Sequence, residues 1–123
     1  MRLKAKEIDV VRVCLDWLAL HRIMAWRCNN TGIYDPTRKV FRTFQGLKGV
    51  SDILGILPQT ARLADGGEDT FGVFLAVEVK KPGEALRPGQ DAFLSDIRAG
   101  GGIGVCARSL DDLEAQLRPF VAR

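Results

Sequence analysis

Phe71-Gly72-Val73-Phe74-Leu75-Ala76-Val77-Glu78-Val79-Lys80 is the strongest strand signal in this chain, and Lys81-Pro82-Gly83 ends it. Its Phe and Val content suits a pleated, half-buried surface. Alternation sends Leu75, Val77 and Val79 to one face and Ala76, Glu78 and Lys80 to the other, so Glu78 and Lys80 project side by side, roughly 7 Å apart. A carboxylate in the most apolar strand of a small protein costs several kcal/mol unless something compensates it. A cation would do so. The plain alternative is an ion pair at the strand's end or a solvated face, the commoner fate of a Glu-x-Lys triplet.

Asp52 changes the balance. It follows Gly49-Val50-Ser51 and opens the apolar run Ile53 to Leu57, read as a buried strand ended by Pro58. An acid there is commonly a turn former. Two adjacent central strands, however, would bring Asp52 and Glu78 together. Two carboxylates at short range repel, and they persist mainly when they hold a metal ion. Magnesium suits such a pair, because it takes one or two carboxylates and leaves other positions to water and phosphate oxygens. Lys80 beside them could orient a water, stabilise a transition state or act as a base. The chemistry that this set suits is phosphodiester hydrolysis.

Outward from this centre, the spacing of Ile8, Val11, Cys14, Leu15 and Leu18 predicts a helix from about Lys4 to His21. Met24, Trp26 and Cys28 alternate with Ala25 and Arg27 as in a half-buried strand, and Asn29, Asn30 and Gly32 break it. Ile33 to Phe44 reads as irregular or as a ragged hairpin, and Thr60 to Thr70 as an exposed loop around Asp65-Gly66-Gly67. A second helix fits Pro88 to Ala99, with Gly100 to Gly102 as its stop. A strand from Ile103 to Ala107 and a helix from about Ser109 to Val121 follow. The expected fold is a mixed α/β domain covering 1–123, one central sheet flanked by helices.

The composition agrees. With 123 residues, 46% hydrophobic and 27% charged, the chain fits one packed domain. No apolar run reaches the roughly 20 residues of a membrane span, and Met1 to Val13 does not read as a signal peptide. An intracellular, cytoplasmic location is expected. Cys14, Cys28 and Cys106 are widely spaced and His21 is the sole histidine, so zinc is disfavoured and reduced thiols are expected. The net charge of +3 is compatible with a polyanion. Basic residues gather at Arg2, Lys4 and Lys6, and again at Arg38, Lys39, Arg42 and Lys48, where phosphates could bind or a solvated surface could lie. Gly100 to Gly104 precedes a strand and lacks the spacing of a dinucleotide loop. Trp17 and Trp26 both lie on apolar stripes and are expected in the core.

The ordered set resembles the PD-(D/E)XK nuclease superfamily, and within it the VRR-NUC branch best known from stand-alone phage proteins. The set comprises Glu7, Asn30-Thr31-Gly32, Gly49 to Gly55 with Asp52, Glu78-Val79-Lys80, Gln90 and Gly101-Gly102. The triplet alone is weak; the ordered set is specific. The resemblance implies a restriction-endonuclease-like core in which Asp52 and Glu78 bind magnesium, or manganese in its place, with the Val79 carbonyl as a further ligand. It implies Lys80 as the catalytic lysine, Glu7 as an acid supporting the metal through water, and Gln90 as an amide reaching the site or the phosphate. A glutamine common in the family's first helix is missing here, where Ile8-Asp9-Val10-Val11 stands.

It further implies an endonuclease acting on branched DNA such as Holliday junctions, in replication, recombination or repair. A homodimer is part of that expectation, since a two-fold pair offers two sites to two symmetric strands. If the chain is phage-encoded, it would work in a bacterial host cell. The competing readings are a non-cleaving nucleic-acid-binding module on the same scaffold and an accessory protein with a structural metal.

Overall fold

The computed structural model describes residues 7–28, 33–42 and 47–121. The helix start at Lys4, the basic residues Arg2, Lys4 and Lys6, and Asn30-Thr31-Gly32 lie outside them. Along the chain run α1 (Glu7–Leu20), β1 (Met24–Arg27), β2 (Ile33–Asp35), β3 (Val40–Arg42), β4 (Ile53–Arg62) and β5 (Glu68–Val79). Then come α2 (Pro88–Ala99), β6 (Ile103–Ala107), α3 (Leu110–Leu117) and a single 3-10 turn, Arg118–Phe120.

The central sheet has the order β1-β4-β5-β6. β1, β4 and β5 are antiparallel, and β6 joins parallel to β5 after the α2 crossover. β2 and β3 form a separate hairpin. One face of the sheet carries Ile53, Leu57, Leu75, Val77, Val79, Val105 and Ala107, packed with Val11, Cys14, Trp17 and Leu18 of α1 and Leu113 and Leu117 of α3. The opposite face meets α2, whose Phe93 and Leu94 cover Ala76, Leu54, Val50 and Cys106. This is the α/β architecture expected, a mixed sheet with helices on both sides.

Several boundaries differ for physical reasons. β4 runs through Pro58 to Arg62 and pairs with β5 as far as Glu68, so the expected loop is a two-stranded ribbon with a short tip. Pro58 is tolerated because β1 stops opposite Ile56, so no neighbouring strand needs the amide that proline lacks. In β1 the phase is reversed. Ile23 and Ala25 face the core, while Met24 is 68% exposed and Trp26 is also exposed, against the expectation of a buried tryptophan. Trp17 is in the core as expected, whereas Ile8 is exposed. The last helix stops at Leu117 because Pro119 cannot continue it. Its start is as read: Ser109 Oγ accepts from the Asp112 amide at 3.1 Å. All three cysteines are free. Cys14 is buried, and burial pushes its thiol up to about 11.

Candidate active site

The site lies where β4 begins and β5 ends. The ladder pairs Ile53 with Val77, so its next step sets Asp52 opposite Glu78 on the α2 side of the sheet. Asp52 Oδ2 accepts from the Val79 amide at 2.8 Å, in effect replacing the next rung. Asp52 is half-buried. Glu78 is only 3% exposed and Lys80 only 6%.

α2 reaches in from the other side. Gln90 Nε2 donates to Glu78 Oε1 at 3.0 Å, while Gln90 Oε1 accepts from the Arg87 amide at 2.9 Å. The amide is thus held at both ends, capping the helix and orienting the carboxylate together. Gly49 secures this approach. Its φ is +77°, and a Cβ there would stand 2.1 Å from the Gly89 carbonyl oxygen, so no side chain fits between this loop and the start of α2.

Glu78 Oε2 is buried and has no hydrogen-bond partner among the described residues. Burial, reinforced by the neighbouring Asp52 charge and opposed by Lys80, pushes its carboxyl up to about 8. An acid in that state is either kept protonated or compensated by a cation. Lys80 is engaged elsewhere, its Nζ lying 3.6 Å from Glu84 Oε1. The turn from Lys81 to Glu84 folds Glu84 back, with the Glu84 amide bonded to the Lys81 carbonyl at 3.0 Å and Gly83 at φ +82°.

Of the residues singled out from the sequence, Asp52, Glu78, Val79, Lys80 and Gln90 are thus brought together. Glu7 opens α1. Among the described residues no group of three or more His, Cys, Asp or Glu side chains gathers in metal-holding reach, so Glu7 does not join the pair directly. Arg38 and Lys39 are exposed in the β2–β3 turn, which Asp35 Oδ1 ties by accepting from the amides of Thr37 and Arg38. Arg42 is in β3, and Lys48 is exposed next to Gly49. Sequence reasoning missed Arg108. It follows β6, and its guanidinium donates to the Glu84 carbonyl at 2.7 Å. The missed signal was a basic residue one step past a strand that pairs with the Glu78–Lys80 strand.

A family model of the VRR-NUC domain matches residues 7–109, which include every one of these groups. The chain belongs to the VRR-NUC family. No curated protein and no solved structure matches it. Membership makes this a nuclease domain, and its mixed sheet flanked by three helices is the restriction-endonuclease-like architecture. Among the described residues no helix is long and apolar enough to cross a membrane.

Proposed function

We propose that this VRR-NUC chain is a magnesium-dependent DNA endonuclease that hydrolyses phosphodiester bonds, selective for branched DNA and working as a homodimer. The observation that carries the metal-dependent reading is the buried Glu78 Oε2, unpartnered among the described residues and on a carboxylate facing Asp52. Desolvating two acids side by side is strongly unfavourable without a cation between them. The donor set fits magnesium better than zinc: two carboxylates and no thiolate or imidazole in the cluster, leaving several positions to water and phosphate.

In this reading Asp52 and Glu78 hold the ion. The Val79 carbonyl adds a ligand, because a strand residue turns its N–H and C=O to the same edge, and the Val79 amide already faces Asp52. Glu7 contributes through water. A bound divalent cation would supply charge neutralisation at the scissile phosphate and acidification of the attacking water; manganese would serve in its place. Lys80 orients that water and stabilises negative charge developing on the phosphate oxygens, leaving Glu84 to do so. Gln90 fixes the Glu78 carboxylate, so that its second oxygen stays aimed at the cation. Arg38, Lys39, Arg42 and Lys48 contact the DNA backbone and contribute salt-dependent affinity.

The test is cleavage of labelled four-way junction, flap, single-stranded and plain duplex DNA, with magnesium or manganese and with chelator. Cutting that needs the metal and prefers the branched substrates is expected. Wild-type protein that binds DNA but cuts none of these with either metal would sink the enzyme reading in favour of a binding module.

A further inference from the structure

Arg108 lies one step beyond the last rung between β5 and β6. Val79 pairs with Ala107, and the Lys80 amide donates to the Ala107 carbonyl at 3.1 Å, so Arg108 stands across from Lys80. Alternation from Cys106 puts its side chain on the sheet face that carries Glu78. The guanidinium is held at two points: Nη2 donates to the Glu84 carbonyl at 2.7 Å and Nη1 to Cys106 Sγ at 3.5 Å. Neither partner is an anion. Among the described residues no carboxylate lies within ion-pair reach of it. Asp112 instead accepts from the Arg108 backbone amide and from Gln116.

A half-buried guanidinium without a counter-ion carries an uncompensated desolvation cost. Of its five N–H donors, the structure engages two, and their anchoring sets the plane of the fork before any ligand arrives. Such a group, one strand away from the lysine that faces the scissile phosphate, is built to receive a phosphate oxygen. We propose that Arg108 binds a phosphodiester of the cut strand, the scissile phosphate or its immediate neighbour, and so places the strand against Lys80. The proposal rests on the nuclease reading above.

The test scans single methylphosphonates, which remove one backbone charge each, along the strand around the cut. Wild type, Arg108→Gln and Arg108→Lys are compared at each position. At the phosphate that Arg108 contacts, wild type is expected to lose roughly 10- to 100-fold in kcat/KM. Arg108→Gln, which keeps an N–H donor but removes the charge and the fork, should be slower by about that factor on unmodified DNA and lose little more at that same position. Arg108→Lys should recover part of both effects. If Arg108→Gln slows every substrate equally and keeps the full penalty at each position, Arg108 merely supports the turn and the proposal is overturned. A wild type that does not cut would mark failure of the nuclease reading instead. The same scan read as binding affinity then decides for or against Arg108.

Discussion

The two ends of the β4–β5 hairpin share one ladder and both carry acids, yet they are opposite environments. At the site end, Asp52 and Glu78 sit between β1 and β6, with α2 covering one face and α1 and α3 the other. At the far end, Ala61, Arg62, Glu68 and Asp69 pair only with each other, and Asp65, Glu68 and Asp69 are exposed. Water compensates those distal charges at little cost. At the site it cannot, and the neighbouring protein leaves Glu78 Oε2 unpartnered among the described residues. What separates the candidate-site acid Glu78 from the surface acids here is withdrawn solvent, not charge or strand position.

The largest test of that contrast is catalytic. Lys80→Ala and Asp52→Asn are each expected to reduce cleavage by roughly 10²- to 10⁴-fold. Asp69→Asn, on the same ladder, should leave the rate within about twofold, since exposed surface changes rarely propagate. Comparable losses from Asp69→Asn, measured by single-turnover cutting, would break the comparison.

The pH dependence of the metal-free protein comes next. The Glu78 carboxyl stands at about 8 against an ordinary 4.5. The folded state therefore holds its proton more tightly than the unfolded chain does. That contribution is fully present below the ordinary value and is lost as pH rises from about 4.5 to about 8. With chelator present, Glu78→Gln should melt close to wild type near about pH 5 and well above it near about pH 8.5, a difference on the order of several kcal/mol. Glu68→Gln at the exposed end should show no such divergence. Magnesium should raise the wild-type melting temperature at the higher pH, but have far less effect on Glu78→Gln. Parallel melting curves for wild type and Glu78→Gln across this range would refute the buried-acid account.

Two glycines with positive φ sharpen the contrast sterically. Gly49 at the site end would thrust a Cβ against the Gly89 carbonyl, while Gly66 at the ribbon tip has φ +88° and open space around it. Gly66→Ala carries only the left-handed backbone cost of about 1–2 kcal/mol. Gly49→Ala adds displacement of α2, and with it Gln90, so it should destabilise by about 3 kcal/mol and slow cleavage as well. Equal stability losses by denaturant titration would show that the α2 contact is slack. Gln90→Ala tests the same linkage more gently, with an expected 10- to 100-fold loss of magnesium affinity by titration calorimetry.

How much of this was legible follows the same division. Where strands are buried on both faces, side-chain pattern reports structure, and Glu78, Lys80, Asp52 and the bounds of α2 and β6 could be read directly. Along Pro58 to Arg62 and Glu68 to Thr70 the ladder persists without an apolar face, so the pattern that signals strand was absent. β1 misled because its inward residue is the small Ala25, set close against Gly55, while the bulky Met24 and Trp26 lie outward. Contacts that depend on register across β5 and β6, such as Lys80 beside Arg108, exist only once the parallel pairing is known. Glu7 was legible as a helix acid, but that it does not gather directly with the pair was not.

Ser51 offers the smallest effect and a different kind of test. It precedes Asp52, is fully buried on the α1 and α3 side by alternation with Ile53, and its Oγ has no hydrogen-bond partner among the described residues. Unlike Glu78 Oε2, it is a neutral hydroxyl with no charge for a cation to compensate. A buried hydroxyl without a partner costs about 1–3 kcal/mol in lost hydration. Ser51→Ala removes that cost and leaves almost the same shape. It should therefore raise stability by about 1 kcal/mol and leave the cutting rate alone, whereas Thr60→Ala on the solvated ribbon has no such cost to relieve. If Ser51→Ala instead destabilises the fold, the hydroxyl is satisfied in solution, and unpartnered burial no longer distinguishes the two ends by itself. If it preserves the fold but slows cutting, the hydroxyl acts through Asp52, and the polar site extends through the sheet to its second face.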